Sequence, residues 1–408
     1  MSTIMQSDRF APIDAATLSE KGDRKIAIAL LSQNVVLMIQ YFILFGFGIV
    51  GTTVGNLVQL GSKGIVGLTF IIALPTVVKR SFLPLCLTYI VAVIVFIFQF
   101  LLFYNNGVYL ISLLFDFFCI CLPSFIYAYS IKDNKVISML MLKVSQITLG
   151  IGTLMSYLVL FRRLNIGEYS MTLSYYLLLP SLVLLNRYLT NYSVIHLLLF
   201  ILSTAEITIL GSRGALLSTG LYVILGLLIN LKSIYRELNA KILVFNFTLL
   251  SGITFFILFF NEIIRYIYTK LILMGIYSRT LSLFLNDRVY MSGRDTDLYS
   301  VAVDIISKNP LLGTGIASDR LYLGNYVHNL FLELAMDFGL IMGLVISLVI
   351  IGLALKTTFL EEKRTAYFIL IFFCLGVVPL MVSSSYLVSS WFWLYLGLAI
   401  RVLPRKDD

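Results

Sequence analysis

The chain has 408 residues, of which 59% are hydrophobic, 14% aromatic and 12% charged, with a formal net charge of +9. A soluble domain carries roughly a quarter charged residues, so this composition excludes an ordinary globular protein and indicates a polytopic membrane protein. Apolar runs of bilayer length recur along it, and helices rather than a barrel satisfy the backbone of such runs. The positive balance then reports topology and contact with an anionic leaflet, not nucleic acid.

Residues 1–25 are polar and lack the apolar core and small-residue cleavage site of a signal peptide, so they are expected to be a cytoplasmic tail before an uncleaved anchor. Spans are expected at 26–48, 58–78, 82–104, 107–130, 137–161, 172–186, 193–210, 214–230, 242–261, 328–355, 366–383 and 387–402, the sixth of them short. The stretch 51–65 is alternatively a loop or a re-entrant turn. Transmembrane helices 1–9 thus occupy 26–261, an extracytoplasmic loop with amphipathic helices 262–327, helices 10–12 residues 328–402, and a cytoplasmic tail 403–408. Lys and Arg bias in short loops sets orientation. With both termini inside, inner segments hold Lys79, Arg80, Lys132, Lys135, Arg187, Lys356, Lys363, Arg364 and Arg401 among others, whereas short outer loops hold only Lys63, Arg162, Arg163 and Arg213. The fold class is therefore all-α, with about 12 transmembrane helices.

Cys86, Cys119, Cys121 and Cys374 lie inside apolar spans, where a thiol behaves as a small hydrophobe, so neither disulfide nor metal cluster is expected. The polar chemistry gathers in the second half. Arg213 sits in GSRGALL between two spans with almost no loop, where a buried arginine is costly without an anionic partner. Glu206, two turns earlier, is the structural choice of partner and a bound anion the functional one. Residues 262–286 are either a surface-lying amphipathic stretch or an extension of the ninth span. Leu298, Val301, Ala302, Ile305 and Ile306 recur at helical spacing, and Asn309-Pro310 ends that helix. Asp295 and Asp297 fall in its first turn, where carboxylates suit the helix macrodipole. They also form an Asp-Thr-Asp triplet of a kind that holds divalent cations, but helix-start chemistry is the stronger reading. Arg294 beside them is an anion-cradle candidate or a partner for these carboxylates.

His328, one of two histidines, stands where the long loop meets a span, facing the outer water. Asn329 and Glu333 share a face of its helix as supports. His196 lies in an apolar run and is expected to be a packing residue. Glu333, Asp337, Asp116 and Lys143 fall within spans, expensive unless paired or facing a wet cavity. Gly339 and Gly343 form a small-xxx-small pair of the helix-packing type.

Taken in order, GSRGALL at 211–217, GR at 293–294, NPLLGTG at 309–315 and HNLFLE at 328–333 resemble the O-antigen polymerase and ligase superfamily. The resemblance is carried by the C-terminal half and extends to the rest only through its run of spans. It implies a bacterial glycosyltransferase of GT-C-like architecture in the cytoplasmic membrane, with an extracytoplasmic active site. Donor and acceptor would be undecaprenyl-diphosphate-linked glycans, with no cofactor, metal or nucleotide sugar, and a chain-length regulator protein as a further partner besides the lipid bilayer. It further implies that Arg213 and Arg294 grip the donor diphosphate and that His328 is the base. The chemistry asks for such a set: planar arginines stabilise a leaving diphosphate bidentately, and a histidine with a reference pKa of about 6.5 suits deprotonation of a hydroxyl. Ligases tend to carry a second histidine shortly before the HN pair. Here the stretch is GNYVHN, which favours a polymerase over a ligase. A transporter or flippase would show matched repeats with broken helices in both halves, and no such repeat is visible.

Overall fold

The computed structural model describes residues 15–160, 170–191, 193–210, 212–237, 251, 258–275, 278–285 and 298–402. Arg162, Arg163, Arg294, Asp295, Asp297 and most of the ninth expected span lie outside them, as do both chain ends. Among the described residues the chain is all-helical, and seven helices are long and apolar enough to cross a membrane.

Helix α1 (Ala15–Gly46) is followed by α2 (Thr53–Leu102), a 50-residue helix. Straight, α2 would reach about 75 Å, more than twice the hydrocarbon thickness of about 30 Å. Ser81, with non-helical φ −144° and ψ 40°, breaks it into two arms. The first arm runs antiparallel to α1: Gly55 lies against Leu44, Ser32 bonds Thr69, and Arg80 pairs with Asp23. The second arm returns, with Tyr89 donating to the Phe118 carbonyl and Gln99 accepting from the Ile316 N–H at 3.0 Å. The expected spans 58–78 and 82–104 are thus two arms joined at one residue. Residues 53–65 are helical, capped by the Thr52 hydroxyl, instead of forming a loop, and Lys63 sits within the helix. Most large side chains of α2 point outward, among them Leu60, Ile71, Phe82, Ile90 and Ile97, an apolar surface that only lipid or a partner could cover.

The next crossing is irregular: α3 (Gly107–Asp116), a π-helical turn at Phe117–Cys121 and α4 (Leu122–Tyr129). Then come α5 (Asn134–Leu160), α6 (Met171–Asn191), α7 (Val194–Leu210) and α8 (Arg213–Glu237). Helix α6 runs longer than the expected 172–186, and protein surrounds it: Leu173 and every residue from Leu177 to Leu185 are buried. At this bundle's basic end, the buried Asp23 carboxylate accepts from the backbone N–H groups of Lys132 and Asp133, both at 3.0 Å, while Arg80 also donates to the Ser19 and Ser130 carbonyls. One ion pair therefore ties α1, the α2 bend and the α4–α5 turn.

The segment after α8 holds α9 (Phe260–Leu273) and α10 (Arg279–Leu285). Phe259 is non-helical, so α9 starts anew there, and its Ile264 and Leu271 are buried while Arg265, Tyr266 and Lys270 are exposed, an amphipathic surface helix. Helix α11 (Leu298–Lys308) stops where Asn309-Pro310 was expected to stop it, and α12 (Ser318–Leu323) follows. The chain then forms α13 (Leu330–Phe359), α14 (Lys363–Gly376) with a 3-10 turn to Met381, and α15 (Ser390–Arg401). Helix α15, with 12 residues, extends about 18 Å, too short to cross alone. It starts at mid-depth, where Ser390 bonds Gln33 halfway along α1, so residues 382–389 descend into the bundle without helical structure.

Candidate functional site

Two glycines build the floor of the site. Inside α13, Gly339 has φ 81° and ψ 167°, a region essentially reserved for glycine. The helix breaks there into a short arm, 330–338, and a long arm, 340–359. The NPLLGTG segment docks into the break: the Thr314 N–H donates to the Met336 carbonyl at 2.7 Å and the Leu340 N–H to the Pro310 carbonyl at 2.7 Å. A Cβ on Gly313 (φ 69°) would lie 2.4 Å from the Met336 oxygen, and one on Gly339 2.3 Å from the Leu311 oxygen. The Gly339/Gly343 pair therefore serves the fold of its own helix, with Gly343 against the Ala335 backbone, and not the helix–helix packing that the small-xxx-small spacing suggested. Asn106 fastens the other side, its amide donating to the carbonyls of Thr314 at 2.8 Å and Ile316 at 3.3 Å.

Above this floor lies a buried polar network. Asp319, Glu333 and Asp337 are all 0% exposed, and among the described residues the cation that pairs with them is Arg320. Arg320 donates to Asp319 at 2.7 Å and to the Ser385 hydroxyl at 3.1 Å, with Glu333 at 3.9 Å. Ser385 in turn donates to Glu333, and Tyr386 donates to Asp337 at 2.7 Å. Burial raises the Asp319 carboxyl above its ordinary range, against the pull of the Arg320 guanidinium and of backbone donors. Irregular backbone at membrane depth is tolerated only where protein or a wet cavity satisfies it. The 382–389 segment meets that rule: the Ser383 carbonyl accepts from Tyr326 at 2.9 Å, that of Tyr386 from the Trp393 indole at 2.8 Å, and that of Leu387 from the Cys121 thiol.

His328 sits beside this network. It is 5% exposed instead of facing the outer water, because its ring packs on Tyr326 with centroids 4.2 Å apart. Its backbone is left-handed, φ 58°, unusual for any residue but glycine. The Val327 N–H before it is held by Asp319 at 3.3 Å, and the Tyr299 hydroxyl reaches its carbonyl at 3.5 Å. Asn329 is the N-cap of α13, its side chain accepting from the N–H groups of Phe331 at 3.0 Å and Leu332 at 3.2 Å. It is extended rather than helical, so it does not share a helix face with Glu333, which turns inward.

Arg213 opens α8. Its neighbour Gly214 packs against Tyr175 and Val382, and Tyr175 bonds the Ser383 hydroxyl. Residues 382–386 thereby touch the Arg213 turn through Tyr175, the His328 loop through Tyr326, and the Arg320 network through Ser385. Glu206 does not pair with Arg213; it is buried in α7 and engages Thr153 of α5. His196 is half-buried at the start of α7, Lys143 is exposed on α5, and Asp116 ends α3. Among the described residues no group of three or more His, Cys, Asp or Glu side chains is arranged to hold a metal ion, and the four cysteines form no disulfide.

Sequence reasoning missed Asp319, Arg320, Tyr326 and the 383–386 run. The signals were present as an acid–base pair separated from the GTG turn by three residues and as Ser-Ser-Ser-Tyr between two apolar runs. No family model, curated protein or solved structure matches this chain.

Proposed function

We propose that the chain is a membrane glycosyltransferase that polymerises undecaprenyl-diphosphate-linked repeat units into O-antigen or capsular polysaccharide. In this reading it is a multi-pass protein of the bacterial cytoplasmic membrane with about twelve crossings, GT-C-like, its termini cytoplasmic and its site extracytoplasmic. The observation that supports it is that residues 382–386 reach the GSRG turn through Tyr175 and the loop before HN through Tyr326, while NPLLGTG docks into the break of the helix that HN opens.

In the proposed step an acceptor sugar hydroxyl attacks the anomeric carbon of the donor. The new glycosidic C–O bond forms as the bond to the diphosphate oxygen breaks, His328 takes the hydroxyl proton, and the lipid diphosphate departs with the bond's electron pair. Arg213 stabilises the charge growing on that diphosphate, where a planar guanidinium can donate two parallel hydrogen bonds. Arg294, outside the described residues, is proposed as the second such group. Asn329 and the Asp319–Val327 bond position the histidine. Ligation to lipid A-core is the alternative within the same chemistry; the GNYVHN stretch, without a second histidine, favours polymerisation.

Arg213→Lys tests the reading because it keeps the charge and loses the planar fork. Chain extension in cells should fall about a hundredfold at unchanged protein level. Near-normal extension would rule out bidentate diphosphate binding at Arg213.

A further inference from the structure

The end of the bundle opposite His328 carries a polar cavity, of about 560 Å3, between the α4–α5 turn, the last turn of α6 and the first turn of α14. Lys132, Lys135, Arg187 and Arg364 line it, against the carboxylates Asp133 and Glu362. Among the described residues none of these four cations is in an ion pair. Asp133 is already engaged, its carboxylate accepting the Lys135 N–H at 2.8 Å. Glu362, the N-cap of α14, makes no side-chain cap bond, so the positive end of that helix faces the same wall. The cavity is thus a concave anion receptor contributed by three helix ends and the turn before α5.

Its rim continues into lipid-facing surface. Thr190 and Asn191 at the edge lead directly into α7, whose Val194, Ile195 and Leu198 are 65%, 68% and 61% exposed. A receptor for a free anion has no use for an adjoining apolar strip, whereas an amphiphile needs both surfaces. Basic pockets between membrane helices bind phosphate-bearing headgroups by this combination.

We propose that this cavity binds the phosphate of an anionic phospholipid, whose acyl chains lie along α7. The site is remote from His328 and Arg213, so its test does not depend on the glycosyltransferase reading.

The experiment is native mass spectrometry of the purified full chain in mild detergent, titrated with phosphatidylglycerol, phosphatidylcholine or inorganic phosphate. The wild type should retain phosphatidylglycerol in clear preference to phosphatidylcholine. Arg187→Gln/Arg364→Gln should weaken that retention about thirtyfold, given the usual contribution of each cation facing an anionic headgroup, while Arg187→Lys/Arg364→Lys keeps most of it. If the glutamine pair proves unstable without lipid, Lys132→Gln/Lys135→Gln, at exposed positions, should give the same loss. Equal retention of both lipids, or equal phosphatidylglycerol binding by wild type and glutamine variants, overturns the proposal. Binding of inorganic phosphate as tight as that of phosphatidylglycerol would assign the cavity to a soluble anion instead.

Discussion

Gly339→Ala is the sharpest structural perturbation the site offers. The φ 81°, ψ 167° conformation costs a non-glycine residue about 1–3 kcal/mol. The added methyl would lie 2.3 Å from the Leu311 oxygen and 2.9 Å from the Gly313 nitrogen, backbone atoms that cannot rotate away. The 309–315 segment must then lift off, and the hydrogen bonds from Thr314 to Met336 and from Leu340 to Pro310 are each worth about 0.5–1.5 kcal/mol. Together the loss is about 2–6 kcal/mol. It should appear as a melting midpoint several degrees lower in detergent and as faster hydrogen exchange at Thr314 and Leu340. Gly352→Ala is the control, since nothing lies within 4 Å of its added Cβ; it should melt at or slightly above the wild type. Wild-type melting and unchanged exchange in Gly339→Ala would refute the docking of NPLLGTG into a glycine-dependent break.

Two further substitutions separate stability from chemistry. Arg320→Met leaves Asp319 and Glu333 buried without their cation and should cost about 3–5 kcal/mol, measured by thermal unfolding; a neutral result would mean that the network is not electrostatically coupled. His328→Gly relieves a left-handed backbone, with a stability gain of about 1 kcal/mol, and at the same time should abolish chain extension. Loss of stability in that variant would show that the ring's packing on Tyr326 outweighs the backbone strain.

The helical membrane class was legible because apolar run length is a local property of sequence. Bends were less so. Ser81 joins two arms through one residue's φ and ψ, and no turn signature marks it beyond the nearby Pro75 and Pro84. Residues 384–386 were expected as a short connection between two spans, and their place inside the bundle was not legible because it depends on partners for these serines and the tyrosine that are far away in sequence. At the site, His328 and the glycine-rich turn stood out by residue type, whereas Asn329 was expected on a helix face with Glu333 and is instead the extended cap before it. Arg320 did not stand out, because its role depends on Glu333 and Ser385 arriving from other elements, a matter of tertiary packing.

The most direct test of polymerase function is reconstitution of the purified chain in vesicles with a lipid-diphosphate-linked repeat unit as the only glycan, followed by electrophoresis of the products. A ladder of repeats from the wild type, absent with His328→Ala, is the predicted result. No ladder from an authentic repeat unit, or an undiminished ladder from His328→Ala, would contradict the account; single transfer only when lipid A-core is supplied would make the chain a ligase.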